Sequence, residues 1–232
     1  NNKKPKIKKE VKKPEIKKEV KKPEIKREEK KAKEKPKLEV KRKNVDEVIL
    51  PNLNLKTETV LNLFKDVEYD LGKVRSQKLV KPIYFTQFPR DLDELQSTKL
   101  KKETFIKIVL PLIVAENEKI LSDRAKLKSI NSRKNTTDKE KAWLRQKFKE
   151  YKVLKGSVAE LGKRMDVIPV SIALSQAAKE SGWGTSRFAL EGNAIFGQWT
   201  WNGKGIEPLD RNNNQTHKIL RFPILRASVK AY

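Results

Sequence analysis

The chain of 232 residues is long enough for one domain with a buried core and some additional sequence. Hydrophobic residues make up 36% of it and charged residues 37%, which is too polar for a chain that folds along its whole length. It has no cysteine, which excludes disulfides and cysteine nucleophiles, and a single histidine, His217, cannot build a zinc site. We therefore predict neither a metal site nor another cofactor.

Positive charge is concentrated at the start of the chain. Lys and Arg number 55 against 30 Asp and Glu, a net charge of +25, and residues 1–43 hold 21 and 8 of these, a net of +13. Residues 4–29 repeat a nine-residue unit of the type KPEIKKEVK, with a proline in each unit that interrupts any helix. One isoleucine per unit cannot offset the entropy of ordering the chain. The sequence therefore predicts a disordered basic spacer over 1–43.

The partners expected for this spacer follow from its composition. The first aromatic residue is Phe64, so no base could stack on the tail, and any binding to nucleic acid would be phosphate-driven and non-specific. We predict no specific nucleic-acid partner. Electrostatic contact with an anionic envelope surface, either a membrane or a wall polymer, is the expected secondary role.

No stretch reaches the roughly 20 apolar residues of a membrane span. The longest apolar run, Ile108 to Ala115, contains Pro111, and the first residue is Asn1 rather than Met. We therefore expect a signal or anchor upstream of residue 1 and a location in the periplasm or cell envelope. We also expect the protein to be a monomer.

Helical periodicity dominates the middle of the chain. Residues 44–80 are a mixed connector with a short amphipathic helix around Leu53–Phe64, and apolar positions at helical spacing predict one or two long helices over 99–130. After a polar break, Thr137 or Asp138 is a suitable N-cap for a helix over Lys139–Leu161. One face of that helix is predicted to be core; it carries Trp143, Phe148, Tyr151 and Leu154.

A change of pattern follows Pro169. A helix is predicted from Pro169 to Glu180, ended by Gly182 and Gly184, and a shorter one over Thr185–Leu190 is stopped by Gly192. β-prone segments then predict a small antiparallel hairpin, and the last residues predict the start of another helix. These segments are Phe196–Trp201, Gly205–Leu209 and Lys218–Phe222, followed by Ala227–Tyr232.

The stretch KESGWG at 179–184, followed by NAIFGQWTW at 193–201, carries the chemistry. A carboxylate at a helix C-terminus lies at the negative end of the macrodipole, and a nearby indole can shield it from water. Both effects would favour a protonated Glu180, the form that a general acid needs to protonate a glycosidic oxygen. Three tryptophans within nineteen residues, with Asn and Gln beside them, suit sugars that carry N-acetyl groups. In the competing interpretation, Glu180 is a solvated charge at a helix end and the tryptophans belong to the core.

The run from Val167 to Trp201 closely resembles the Bax family of bacterial glucosaminidase-domain proteins, which are peptidoglycan hydrolases of the glycoside hydrolase family seventy-three type; residues 81–130 resemble that family's helical lead-in. The resemblance implies an α+β fold, predominantly α: a lysozyme-like helical lobe, a small β lobe and a cleft between them. It implies hydrolysis of the β-1,4 bond after N-acetylglucosamine in peptidoglycan glycan strands by an endo-β-N-acetylglucosaminidase type of enzyme. The family continues beyond Tyr232, so a fragment that ends there is expected to have an incomplete helical lobe and impaired activity.

Site residues carry over from this resemblance by position. Glu180 matches the catalytic glutamate, and a second acid from the β lobe is expected, with Asp210 the first choice and Glu207 the second. Glu191 is interpreted as an exposed loop charge and His217 as a surface residue of the hairpin. The predicted substrate-binding residues are Trp183, Asn193, Phe196, Gln198, Trp199 and Trp201.

The resulting domain plan has four parts. Residues 1–43 are the spacer, 44–80 the connector, 81–160 the helical lead-in, and 161–232 the catalytic region, truncated at its C-terminus. Two alternatives stay open. A lytic transglycosylase would use the same glutamate without water as the nucleophile, and a catalytically silent wall-binding domain would keep the cleft without turnover.

Overall fold

The structure is a computed structural model that describes residues 48–49, 55–202, 205–209 and 216–232. These residues belong to one compact unit, Leu38–Tyr232. The predictions for the spacer 1–43 and for Asp210 lie outside the described residues. In the described part, no helix has both the length and the apolar character needed to cross a membrane.

Helices form most of this unit, which confirms the predicted class, predominantly α with a small sheet. The longest, α3, runs without interruption through Pro111, and the helix expected around 53–64 is found a few residues further on as α1. The helices are α1 Thr57–Asp66, α2 Leu71–Gln77, α3 Thr98–Asn131, α4 Asp138–Glu150, α5 Val158–Arg164, α6 Val170–Ser181, α7 Arg187–Gly192 and α8 Leu225–Ala231, with a 3-10 turn at Leu92–Glu94.

The main core lies around the first half of α3. The apolar residues of α3 recur at helical spacing and therefore lie on one face of the helix, against which α6 and α8 pack. Glu116 of α3 also forms an ion pair with Arg226 of α8, with 2.6 Å between Oε1 and Nε. The buried α3 residues of this core are Phe105, Ile108, Val109, Leu112 and Ile113, all at most 2% exposed.

The predicted helix 139–161 is wrong in its second half, because the chain leaves the helix at Tyr151. Lys152 and Gly156 adopt left-handed backbone conformations, with φ of 54° and 61°, and Ser157 then caps α5. Trp143, Phe148 and Tyr151 pack around a second small core as predicted. Leu154 does not: it lies in the loop between α4 and α5 and is 95% exposed.

The break before α4 ends at Thr137, as predicted. The Thr137 hydroxyl accepts a hydrogen bond from the Glu140 backbone N–H at 3.3 Å, and Glu140 Oε2 accepts one from the Thr137 N–H at 2.9 Å. The bond from the Thr137 backbone, with help from Arg133, lowers the pKa of Glu140 from 4.5 to about 2. The capping box therefore favours the ionised carboxylate.

Replacing Thr137 with Ala is expected to lower the free energy of unfolding by about 1 kcal/mol at pH 7, the usual cost of a lost N-cap. The substitution also removes the bond that the Thr137 hydroxyl donates to Glu140 Oε2 at 2.9 Å, one of the bonds that lower the pKa of Glu140. The contribution of that bond is fully present above about pH 4.5 and disappears as the pH falls toward 2. The penalty should therefore shrink in acid. Urea unfolding at pH 7 and pH 3.5 measures it, with Thr136→Ala as the matched control; a penalty that is constant with pH would contradict the assignment.

The small sheet has three strands in its described part: β3 Trp199–Thr200, β4 Gly205–Ile206 and β5 Lys218–Leu220. β5 is central and pairs antiparallel with both neighbours, Trp199 opposite Ile219 and Gly205 opposite Leu220. The antiparallel prediction is confirmed, but the first two segments are not paired with each other. Two short strands earlier in the chain, β1 Val48–Ile49 and β2 Ile83–Tyr84, pair in parallel.

Candidate active site

Glu180 lies in the last turn of α6, where the sequence places it. The helix ends because Gly182, Trp183 and Gly184 all have positive φ angles, of 58°, 60° and 81°. The Trp183 N–H donates to the Ala178 carbonyl at 2.9 Å, which closes the helix end. The chain then reverses, leaving the Glu180 side chain exposed at the end of α6.

Ser181 holds this reversal together, a role that the sequence analysis missed. Its side chain is fully buried; the hydroxyl donates to the Ala177 carbonyl at 2.6 Å and accepts from the Gly184 N–H at 2.9 Å. A Cβ on Gly184 would lie 2.8 Å from the ring of Phe88, so only glycine fits there. The serine and the second glycine of ESGWG therefore fix the turn that follows Glu180.

The Glu180 carboxylate lies beside the turn that leads into the sheet. Its Oε2 is 3.4 Å from the position that a Cβ on Gly197 would occupy, and Gly197 has a φ of 59°. Glycine is favoured there by its backbone conformation, and its missing side chain leaves room beside the carboxylate. The segment between α7 and β3 is thus brought against the end of α6.

Trp183 packs differently from the expectation. Its ring is half-buried against α3, edge-to-face with Phe105 at 5.6 Å between centroids, and Lys102 Nζ lies 5.0 Å from the ring centroid. Glu180 itself is exposed. The predicted shielding of Glu180 from water is therefore not found in the described structure; the tryptophan instead fixes the end of α6 to α3. No local pattern reveals this contact, which spans almost 80 residues of sequence.

Two predicted binding residues carry buried amide atoms on the segment after α7. Asn193, the left-handed C-cap of α7, donates to the carbonyls of Phe222 and Pro223 at 3.2 and 3.3 Å, while its Oδ1 is buried without a partner among the described residues. Both side-chain amide atoms of Gln198 are likewise buried and unpaired in this part of the chain. Buried polar groups normally have partners, so these amides mark a place where water or a ligand would complete the bonding.

The remaining aromatic residues fall into two groups. Phe196 is 9% exposed and stacks on Tyr232 with ring centroids 4.0 Å apart. Trp199 and Trp201 are 59% and 63% exposed, and His217 stacks on Trp199 at 4.4 Å. We call Trp199, Trp201 and His217 the aromatic face. His217, predicted to be a surface residue, is half-buried just before β5 and is part of this face.

The other acidic residues considered for the site lie in different places. Glu207 follows β4, and its carboxylate forms an ion pair with Lys218 of β5 at 3.0 Å. Asp210 lies outside the described residues. Glu191 is exposed near the end of α7, with Arg187 at 3.6 Å.

Comparison with known proteins identifies the class. The glucosaminidase family, described as mannosyl-glycoprotein endo-beta-N-acetylglucosaminidase, matches residues 155–232, which run from α5 through α8 and include Glu180 and the sheet. This part of the chain is therefore similar to glucosaminidase domains, which belong to a class of glycosidases.

A curated relative agrees with this class. Protein bax of Escherichia coli (strain K12) is 32% identical over 151 residues, covering 61% of this chain and 53% of that protein. The predicted resemblance to Bax-family glucosaminidase-domain proteins is confirmed. The chain spans about half the length of this relative, and no solved structure matches it significantly.

Proposed function

We propose that this chain provides the catalytic region of a peptidoglycan hydrolase that cleaves the β-1,4 bond after N-acetylglucosamine, with Glu180 as the general acid. The position of the Glu180 carboxylate carries the proposal: it stands at the end of α6 beside the Gly197 turn, inside the region that matches the glucosaminidase family. This function requires the protein in the cell envelope or periplasm, where its substrate is.

The exposure of Glu180 is consistent with a general acid that becomes shielded from water only when substrate is bound. A glycan strand lying across the end of α6 would exclude water from the carboxyl and favour its protonated form. The proton then goes to the bridging oxygen as the glycosidic bond breaks, and the carboxylate left behind can remove a proton from an attacking water.

The second carboxylate is proposed from the sheet region. Asp210 remains the first choice, because Glu207 is held by the Lys218 ammonium. The ion pair occupies one side of the Glu207 carboxylate. Asp210→Asn is expected to lower turnover more than Glu207→Gln does, and muropeptide release by the two variants distinguishes them.

Recognition of the sugar is proposed for the aromatic face and the two buried amides. Flat exposed rings stack on the apolar faces of pyranose rings, and an amide offers both a donor and an acceptor to an N-acetyl group. Gln198 and Asn193 have unpaired amide atoms on the segment that approaches Glu180. A small rearrangement that opens these atoms to substrate would supply their missing hydrogen bonds.

Trp199→Ala is expected to weaken binding to insoluble peptidoglycan and to N-acetylglucosamine oligomers by about ten-fold, in line with the 1–3 kcal/mol of an aromatic stacking contact in a related setting. The catalytic rate at saturating substrate should change little, because the proposed role of the ring is to bind the sugar and not to transfer a proton. Trp143→Ala, in the second small core, is the control for loss of an indole. Unchanged affinity for Trp199→Ala would contradict the proposal.

Analysis of the reaction products tests the activity itself. The complete gene product, incubated with purified peptidoglycan, is expected to release fragments with reducing N-acetylglucosamine ends. Anhydro-muramic ends would show a lytic transglycosylase instead. Binding without release of any fragment would favour the catalytically silent domain.

A further inference from the structure

A second candidate surface lies away from the residues of the active site. The second half of α3, the helix α4, the loop after it and α5 form a unit that we call the distal lobe, residues 119–166. It has a core of its own, made by Leu127, Val153, Leu161 and Met165, all at most 5% exposed. This core fixes the surface residues of the lobe in place.

Charge in the distal lobe is strongly unbalanced. It holds 15 Lys and Arg against 6 Asp and Glu. All six acids are in ion pairs within the lobe; these are Asp123 and Glu150 with Lys147, Asp138 with Lys141, Glu140 with Arg133, Glu160 with Arg164, and Asp166 with Arg124. The acids are thus engaged by five of the cations.

Ten cations of the lobe remain without an acidic partner among the described residues. They are Lys119, Lys126, Lys128, Lys134, Lys139, Arg145, Lys149, Lys152, Lys155 and Lys163. Such an excess on one lobe creates a positive potential that attracts anionic surfaces. An ordinary solvated face would intersperse both signs.

An exposed leucine, Leu154, lies in the loop between α4 and α5 of this positively charged lobe. Leu154 is 95% exposed, whereas the preceding Val153 is 4% exposed and is anchored by a hydrogen bond from its N–H to the Phe148 carbonyl at 2.8 Å. The loop therefore holds Leu154 outward. Lys152 and Lys155, both exposed, flank it.

We propose that the tip of the distal lobe docks on an anionic phospholipid bilayer, with Lys149, Lys152 and Lys155 at the headgroup phosphates and Leu154 inserted among the acyl chains. Single exposed leucines are common, but an outward leucine flanked by the exposed Lys152 and Lys155 combines the two attractions that place a segment at a membrane interface. A soluble polyanion would use the lysines and leave the leucine in water, so the bilayer is the occupant that explains both.

A unique fluorescent label tests the insertion. The chain has no cysteine, so Leu154→Cys carries an environment-sensitive dye at that position alone, and Leu209→Cys, at an 83% exposed leucine of the sheet region, is the matched control. With vesicles of phosphatidylcholine containing 30% phosphatidylglycerol, the dye at 154 should brighten several-fold and shift to the blue, and the dye at 209 should not. Equal responses at both positions, or binding with no response at 154, would overturn the proposal.

Charge substitutions provide the second arm. Replacing Lys149, Lys152 and Lys155 with Gln should weaken binding of the full chain to these vesicles by on the order of 100-fold, about five-fold per lysine. The control replaces Lys78, Lys99 and Lys230, three exposed lysines outside the lobe, and should have a much smaller effect although the net charge is identical. Equal losses in the two triple variants would mean non-specific attraction. A response of the dye at 154 to inorganic polyphosphate equal to that with vesicles would assign the surface to soluble polyanions and refute the bilayer.

Discussion

Replacing Glu180 with Gln is expected to reduce the release of muropeptides from peptidoglycan by about 10²- to 10⁴-fold, the usual contribution of a general acid. The substitution keeps the size and hydrogen-bonding capacity of the side chain and removes only the proton that would be donated. Because Glu180 is exposed and lies at the end of α6, the fold should be unaffected. Binding to insoluble peptidoglycan should persist.

Glu191→Gln is the matched control for this variant. Glu191 is another exposed glutamate near a helix end in the same domain, with Arg187 as its partner at 3.6 Å. Its replacement should leave release within about two-fold of the original protein. Undiminished release by the Glu180 variant, with reduced release by the Glu191 variant, would reverse the assignment.

Gly184→Ala is expected to lower the free energy of unfolding by about 3 kcal/mol. The residue has a φ of 81°, which costs a residue with a side chain roughly 1–2 kcal/mol, and the new methyl would lie 2.8 Å from the Phe88 ring, adding an overpacking cost of about 1–3 kcal/mol. Phe88 cannot easily move away, because it is 2% exposed and stacked on Phe105. Urea unfolding monitored by circular dichroism measures the loss.

The same substitution at Gly162 should have the opposite effect on the free energy of unfolding. Gly162 is inside α5, where an added methyl would meet Leu127 at an ordinary 3.9 Å, so Gly162→Ala should stabilise by about 0.5–1 kcal/mol. Similar destabilisation in the two variants would show that the close approach of Gly184 to Phe88 is not what requires glycine. Gly184→Ala should also reduce activity, since its turn positions the end of α6.

Helices were predictable where periodicity, caps and breakers agreed. The apolar spacing over 99–130 and the polar break before Thr137 gave α3 and the start of α4 to within a residue or two, and Gly182 gave the end of α6. The extension of α4 to 161 failed because the apolar spacing continues through Val153 and Leu154, whereas the chain leaves the helix at Tyr151 and Lys152, and Ser157 caps a new helix. These local signals outweighed periodicity.

The sequence did not predict the pairing of the strands or the contacts between residues far apart in the chain. Adjacent β-prone segments suggested a hairpin, but β5 pairs with both earlier strands, and the local pattern does not indicate which strand is central. In the candidate site, too, local features could be predicted and tertiary contacts could not. The position of Glu180 on its helix was readable, while the packing of Trp183 on Phe105 and of the Gly197 turn on the Glu180 carboxylate depends on tertiary structure.

The most direct test of Glu180 as the proton donor compares leaving groups. β-Glycosides of N-acetylglucosamine oligomers with a good leaving group, dinitrophenol, need little protonation of that group, whereas alkyl β-glycosides, whose leaving group is a simple alcohol, depend on protonation. If Glu180 donates the proton, Glu180→Gln should lose kcat/KM by about 10³-fold on the poor leaving group and by about ten-fold or less on dinitrophenol. Equal losses on both substrates would contradict the account.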